Sequence, residues 1–127
     1  IFSPEYLRPT LQFAGCDNLL FAGQITGVEG YAGNIATGLL AGINAARFHN
    51  KLEPLVLPPT SMLGALCHYV THASPADFQP MKANFGLLPV LENPVRSKRE
   101  RGFVFSRRAI RTLTDFISET GINQNVH

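Results

Sequence analysis

The chain has no tryptophan, two cysteines and two methionines, and only 16% of its 127 residues are charged. Cys16 and Cys67 are too few and too far apart for a C-x-x-C redox or zinc pair. No basic residues followed by an apolar stretch open the chain at Ile1, so a secretory leader is not expected. These absences favour a reducing, cytoplasmic setting over a disulfide framework, with a single Cys16–Cys67 bridge as the open alternative. No apolar run reaches the roughly 18–20 residues that cross a bilayer, which argues against a membrane partner. Lysine followed by serine or threonine is missing after any glycine loop, which excludes a Walker motif, and the G-x-G-x-x-G dinucleotide fingerprint is missing too. Spacing picks out no Ser-His-Asp or Cys-His arrangement, so no catalytic residue is assigned. The net charge of +2 is too small to argue for nucleic acid on its own.

What is present is concentrated between Leu19 and Arg47. The run LLFAGQITGVEGYAGNIATGLLAGINAAR places an apolar segment, Leu19 to Ala22, before the glycines Gly23, Gly27, Gly30, Gly33, Gly38 and Gly42. The pattern predicts a buried strand, a glycine turn, and a helix from about Tyr31–Asn34 to His49, closed near Asn50. Such a junction aims free backbone N–H groups at whatever sits above it, a ready cradle for an anionic or electron-rich cofactor. A tight turn packed on a neighbouring element is the equally open alternative. The small residues Gly38, Gly42 and Ala45 share a face, which suggests a close approach to another surface. A helix apolar on all sides needs cover on all sides, so part of the core is expected to come from sequence outside this chain.

Further along, Pro4 and Pro9 make residues 1–18 irregular or extended, with a short strand at Thr10 to Phe13. Ser61 caps a second helix to His72 or Ala73. His68 and His72 fall on one face at metal-ligand spacing, but no third ligand follows, and no metal site is assigned. Residues 74–94 read as loop. A third helix runs from about Ser97 to Glu119 with Phe103, Ile110, Leu113 and Ile117 on its apolar face and Gly121 as its stop. Seven of the eleven Lys and Arg residues lie between Arg96 and Arg111. Lys98, Arg101, Arg107, Arg108 and Arg111 form a basic stripe that suits RNA phosphates, the alternative being a solvated helix face.

Two blocks carry a family resemblance. FAGQITGVEGY followed by ATGLLAGINAAR resembles the C-terminal flavin-binding segment of two related FAD families of tRNA modification, the folate-dependent tRNA uracil-5-methyltransferases (TrmFO) and the wobble-uridine modifying GidA, or MnmG, proteins. The block FQPMKANFGLLP, Phe78 to Pro89, is similar to the methyltransferases and separates the two. The resemblance implies a C-terminal fragment, inactive alone, of an enzyme that makes 5-methyluridine in the tRNA T-loop with FAD, methylenetetrahydrofolate and NAD(P)H. A GidA-like protein and a nonenzymatic RNA-binding module are the alternatives.

The implied fold is α/β, the last part of a glutathione-reductase-like FAD domain: a flavin-binding strand–turn–helix over 18–50, a helix and family-specific loop over 61–94, and a basic helix over 97–120. The missing N-terminal Rossmann half would grip the FAD phosphates, and the family's catalytic cysteines would lie upstream. By the same resemblance Gly23, Gln24, Gly27, Gly30, Tyr31 and Ala32 are the cofactor-binding positions, with Gly23 and Gln24 at the strand end. Amides at Gly30 to Ala32 would face the flavin N1/C2=O edge. Ala32-Gly33-Asn34-Ile35 departs from the family's VESA, removing a Glu–Ser pair from the helix start. The Phe78–Pro89 block is expected near the folate or the mouth of the active site.

Overall fold

A computed structural model describes residues 1–121. Its elements run α1 (Ser3–Tyr6), β1 (Gln12–Phe13), β2 (Cys16–Leu20), α2 (Tyr31–His49), α3 (Met62–His72) and α4 (Lys98–Thr120), with 3-10 turns at Gly23–Thr26 and Phe85–Leu87. This is a mixed architecture of helices with one small sheet, in which β1 and β2 pair antiparallel.

The helix boundaries follow local chemistry. Ser61 accepts the Gly64 amide at 3.1 Å and so caps α3. Ser97 and Glu100 stand in capping-box spacing at the start of α4, with Ser97 Oγ accepting from the Glu100 amide, and Gly121 closes the helix in the left-handed region. α2 ends where Asn50 turns back onto the Ala46 carbonyl.

Three expectations are corrected. Residues 3–6 are helical despite Pro4, because proline in a first helical turn surrenders an amide that has no intrahelical partner anyway. The strand before the glycine turn is Cys16–Leu20, not Leu19–Ala22. It is solvent-exposed along most of its length, since it is one arm of a hairpin and not the centre of a sheet. The face carrying Gly38 and Gly42 is open, with nothing within 4 Å of a side chain placed at either glycine.

The buried face of α2 is Gly33, Thr37, Leu40 and Asn44. Leu40 joins Leu11, Leu55 and Cys67 in one core cluster, against which Ala22, Leu63 and Phe116 pack. Val28, Leu66 and Val70 make a second, covered by Tyr69, Phe78, Met81 and Leu87. Asn44 is the polar pin between α2 and the connectors. It donates to the Thr10 and Leu55 carbonyls, each at 3.0 Å, and accepts the Leu55 amide at 2.6 Å, with no exposure to solvent. Its amide is thereby satisfied, as a buried polar group must be.

On the other side of α2, Tyr31 is 92% exposed, Ile35 73% and Leu39 64%. A continuous apolar face is thus left uncovered by the described residues. On α4, Phe103 and Ile110 are exposed. The packed side of that helix runs instead through Phe105, Arg108, Thr112 and Phe116. Among the described residues no helix is long and apolar enough to cross a membrane.

Candidate functional site

The glycine turn is built from backbone that a side chain would obstruct. Gly23, Gly27 and Gly30 all have positive φ, at 78°, 93° and 86°. The first 3-10 turn is closed by the Thr26 hydroxyl donating to the Gly23 carbonyl at 2.7 Å and the Gly27 amide to the Gln24 carbonyl at 3.0 Å. Gly23 and Gln24 therefore belong to this turn and not to a strand end. The Gly23 amide donates to Thr37 Oγ1 at 3.1 Å, which ties the turn to the second turn of α2. Gln24 is exposed.

Gly30 is the N-cap of α2, and no side chain caps it. Its carbonyl is held by the Asn34 side-chain amide at 2.7 Å and the Asn34 main-chain amide at 3.1 Å. Gly30, Tyr31 and Ala32 are exposed, so the first-turn amides open outward at the positive end of the helix dipole. This donor set suits the electron-rich edge of a planar cofactor. Asn34 and Thr37 supply the polar contacts that join the glycine turn to the helix start. Sequence reading missed both, although two polar residues one and two turns into a helix of small and aliphatic residues were visible.

The Phe78–Pro89 block is the back wall of this turn. Met81 and Val28 form a parallel bridge, in which the Met81 amide donates to the Gly27 carbonyl at 2.8 Å and the Glu29 amide to the Met81 carbonyl at 2.9 Å. Gln79 is held by Tyr69, whose hydroxyl donates to the Gln79 carbonyl at 3.1 Å and accepts its amide at 3.2 Å. Phe78 packs edge-on to Phe2 and stacks with Tyr69. Asn84 caps the second 3-10 turn by accepting the Gly86 amide at 2.9 Å. The carbons of Lys82 pass 3.8 Å from where a Gly30 side chain would start. The structure thus brings Gly23, Gln24, Gly27, Gly30, Tyr31 and Ala32 together and adds the 78–89 block to them.

The basic stripe divides. Lys98, Arg101, Arg107 and Arg111 are exposed. Arg108 is turned inward: its Nη2 donates to the Pro89 carbonyl at 2.6 Å and its Nη1 to the Val90 carbonyl at 3.3 Å, with the guanidinium 5.3 Å from the Phe105 ring centroid. Its Nε is buried without a partner. Arg108 therefore ties the loop to α4 and is removed from the set of free phosphate ligands. A groove of about 550 Å³ beside it is lined by Arg107 and Arg111 but also by Glu92, which tempers its positive field.

Other reactive groups are quiet. Cys16 and Cys67 are free thiols, so the bridge left open by the sequence is not formed. Burial pushes the Cys67 thiol up to about 12, which keeps it neutral and unreactive at ordinary pH. His68 and His72 stack with centroids 4.1 Å apart. Partial burial, and then the charge of His72, lowers the pKa of His68. Among the described residues no three His, Cys, Asp or Glu side chains converge as a metal site would require. An open concavity of about 1010 Å³ between Arg8, Asp17, Phe48 and Glu53 lies by the C-terminal end of α2. The two ends of a helix of 19 residues are nearly 30 Å apart, and the exposed amides are at the other one.

Comparison with known proteins converges on the families named by the two sequence blocks. The family model "Glucose inhibited division protein A" matches residues 1–53, that is, α1 to the end of α2. A protein of Lactiplantibacillus plantarum named methylenetetrahydrofolate–tRNA-(uracil-5-)-methyltransferase TrmFO is 52% identical over 118 residues, 93% of this chain. Proteins of the same name from Bacillus mycoides and Bacillus cereus are 49% identical over the same share. A match of 118 of the 127 residues leaves too few outside it to miss the Phe78–Pro89 block. The resemblance is borne out: the chain is similar to part of these methyltransferases. It spans 27% of the length of these relatives.

Proposed function

We propose that this chain is the flavin-edge segment of a folate- and FAD-dependent tRNA uracil-5-methyltransferase, acting in the cytoplasm on the T-loop uridine of tRNA. The observation that carries the proposal is the pairing of the 78–89 block with the glycine turn, Met81 on Val28. The block that distinguishes the methyltransferases thereby adjoins the helix end suited to the cofactor.

In this reading the chain completes a glutathione-reductase-like FAD domain. The remaining part, a Rossmann half with the catalytic cysteines, grips the FAD phosphates and covers the aliphatic face of α2. FAD, when bound, supplies the electron and one-carbon chemistry, with methylenetetrahydrofolate as carbon donor and NAD(P)H as reductant. The chain's own residues bind and orient. Gly30, Tyr31 and Ala32 present amides to the N1/C2=O edge, where they favour negative charge that develops on reduction. Gly23 and Gln24 form the turn alongside, and Thr37 and Asn34 hold that turn in register. Lys98, Arg101, Arg107 and Arg111 contribute phosphate contacts to tRNA.

The test is to join this chain to the N-terminal sequence that its methyltransferase relatives possess. The joined protein is supplied with FAD, methylenetetrahydrofolate, NADPH and a tRNA transcript, and nucleosides are read by mass spectrometry. Formation of 5-methyluridine in the T-loop supports the proposal. Modification confined to the wobble uridine would favour the GidA-like alternative, to which the match over residues 1–53 gives its support. Flavin binding with neither product would overturn both.

A further inference from the structure

We propose that Lys82 sets the reduction potential of the flavin by placing its ammonium beside the open N-terminus of α2. The inference rests on the flavin reading above.

The backbone leaves Lys82 little choice of neighbourhood. The preceding residue is locked to the glycine turn by two hydrogen bonds, Met81 amide to Gly27 carbonyl at 2.8 Å and Glu29 amide to Met81 carbonyl at 2.9 Å. The Lys82 carbonyl accepts from the Asn84 side chain at 2.9 Å, which fixes the other end of the residue. From that anchored backbone the side chain runs across Gly30: both Cγ and Cε stand 3.8 Å from the position a Gly30 Cβ would take. Glycine at this N-cap leaves the space through which the lysine stem passes. The ammonium, one bond beyond Cε, is therefore carried to the same helix end that presents the amides of Tyr31 and Ala32. No salt bridge or hydrogen bond to its ammonium is found among the described residues. Arg8–Asp17 is the ion pair that does form, elsewhere on the molecule.

The physical consequence follows from sign. Reduction adds electron density to the N1/C2=O edge of the flavin. A full positive charge there stabilises the reduced, more negative form over the oxidised one, and adds to the partial charge of the helix end. Lys82 acts as a positioning charge, not as a catalytic group. Because it comes from the 78–89 block, that block tunes the cofactor held by the turn it backs.

The experiment uses the joined, FAD-loaded protein and reads the two-electron midpoint potential of the bound flavin by spectroelectrochemical titration. Lys82→Met is expected to shift the potential negative by about 30 mV, the equivalent of a tenfold loss in the reduction equilibrium. Lys82→Arg, which keeps the charge, is expected to stay near the parent. An unchanged potential in Lys82→Met, with FAD bound at full stoichiometry and a native thermal transition, would overturn the role of Lys82 and leave the flavin reading intact. Failure of the parent protein to take up FAD would overturn the flavin reading, and this inference with it.

Discussion

The ring of Phe78 occupies the place where a side chain on Gly27 would begin: a Cβ there would stand 2.6 Å from Phe78 Cζ. The two residues lock the methyltransferase-like block onto the glycine turn, and the ring takes the space that any side chain at position 27 would need. Gly27→Ala forces both a strained φ and a displaced ring. It is expected to destabilise the protein by about 2–4 kcal/mol, measured by urea unfolding. In a Phe78→Ala background the same change is expected to cost less, because only the backbone strain remains. Equal costs in the two backgrounds would show that the ring does not press on the turn.

Asn44 offers a second test, of the fold and not of the site. Asn44→Ala strands the Leu55 amide and two carbonyls in a buried region, so a loss of about 2–4 kcal/mol is expected from calorimetry. Asn44→Leu fills the volume but leaves the same groups unpaired, and is expected to rescue little.

The division of the basic stripe predicts two kinds of arginine. Arg101→Ala, Arg107→Ala or Arg111→Ala is expected to weaken tRNA binding and reduce the slope of log K against log salt by about one per lost contact. Arg108→Ala is expected to leave that slope unchanged and to loosen the Pro89–Val90 loop, seen as faster hydrogen exchange there. A slope change for Arg108→Ala equal to that for Arg101→Ala would place Arg108 back among the phosphate ligands.

The pH dependence of stability has two predicted edges. Below the ordinary histidine range the unfolded chain takes up a proton that His68 resists in the folded state, so stability falls as pH drops through about 6.5. Above pH 9 the unfolded thiol of Cys67 ionises while the folded one stays neutral to about 12, so stability falls again over that window. His68→Gln should flatten the acid edge and Cys67→Ala the alkaline one, as read from denaturation midpoints across pH.

Much of this molecule was legible because local signals were strong. Ser61, Ser97 and Gly121 mark helix ends by capping chemistry that needs no tertiary information, and the bounds of α2 follow from its run of small and aliphatic residues. What escaped depended on partners outside the segment being read. The strand at Cys16–Leu20 is defined by pairing with Gln12–Phe13, not by its own hydrophobicity. Arg108 reads as one more cation on a basic helix until the Pro89 carbonyl is placed against it. Gly38 and Gly42 read as a close-packing face, yet among the described residues nothing stands within 4 Å of a side chain placed at either. The turn residues were legible as a group, whereas Asn34, Thr37 and Lys82 gained their roles only when the turn, the helix and the 78–89 block were brought together.

The central claim is that the open end of α2 meets the flavin, and amide hydrogen exchange at Tyr31 and Ala32 tests it most directly. In the protein joined to its N-terminal part, addition of FAD is expected to slow exchange at these amides by at least tenfold, while the exposed amides of α4 stay unchanged. Stoichiometric FAD binding with unaltered exchange at Tyr31 and Ala32 would contradict it.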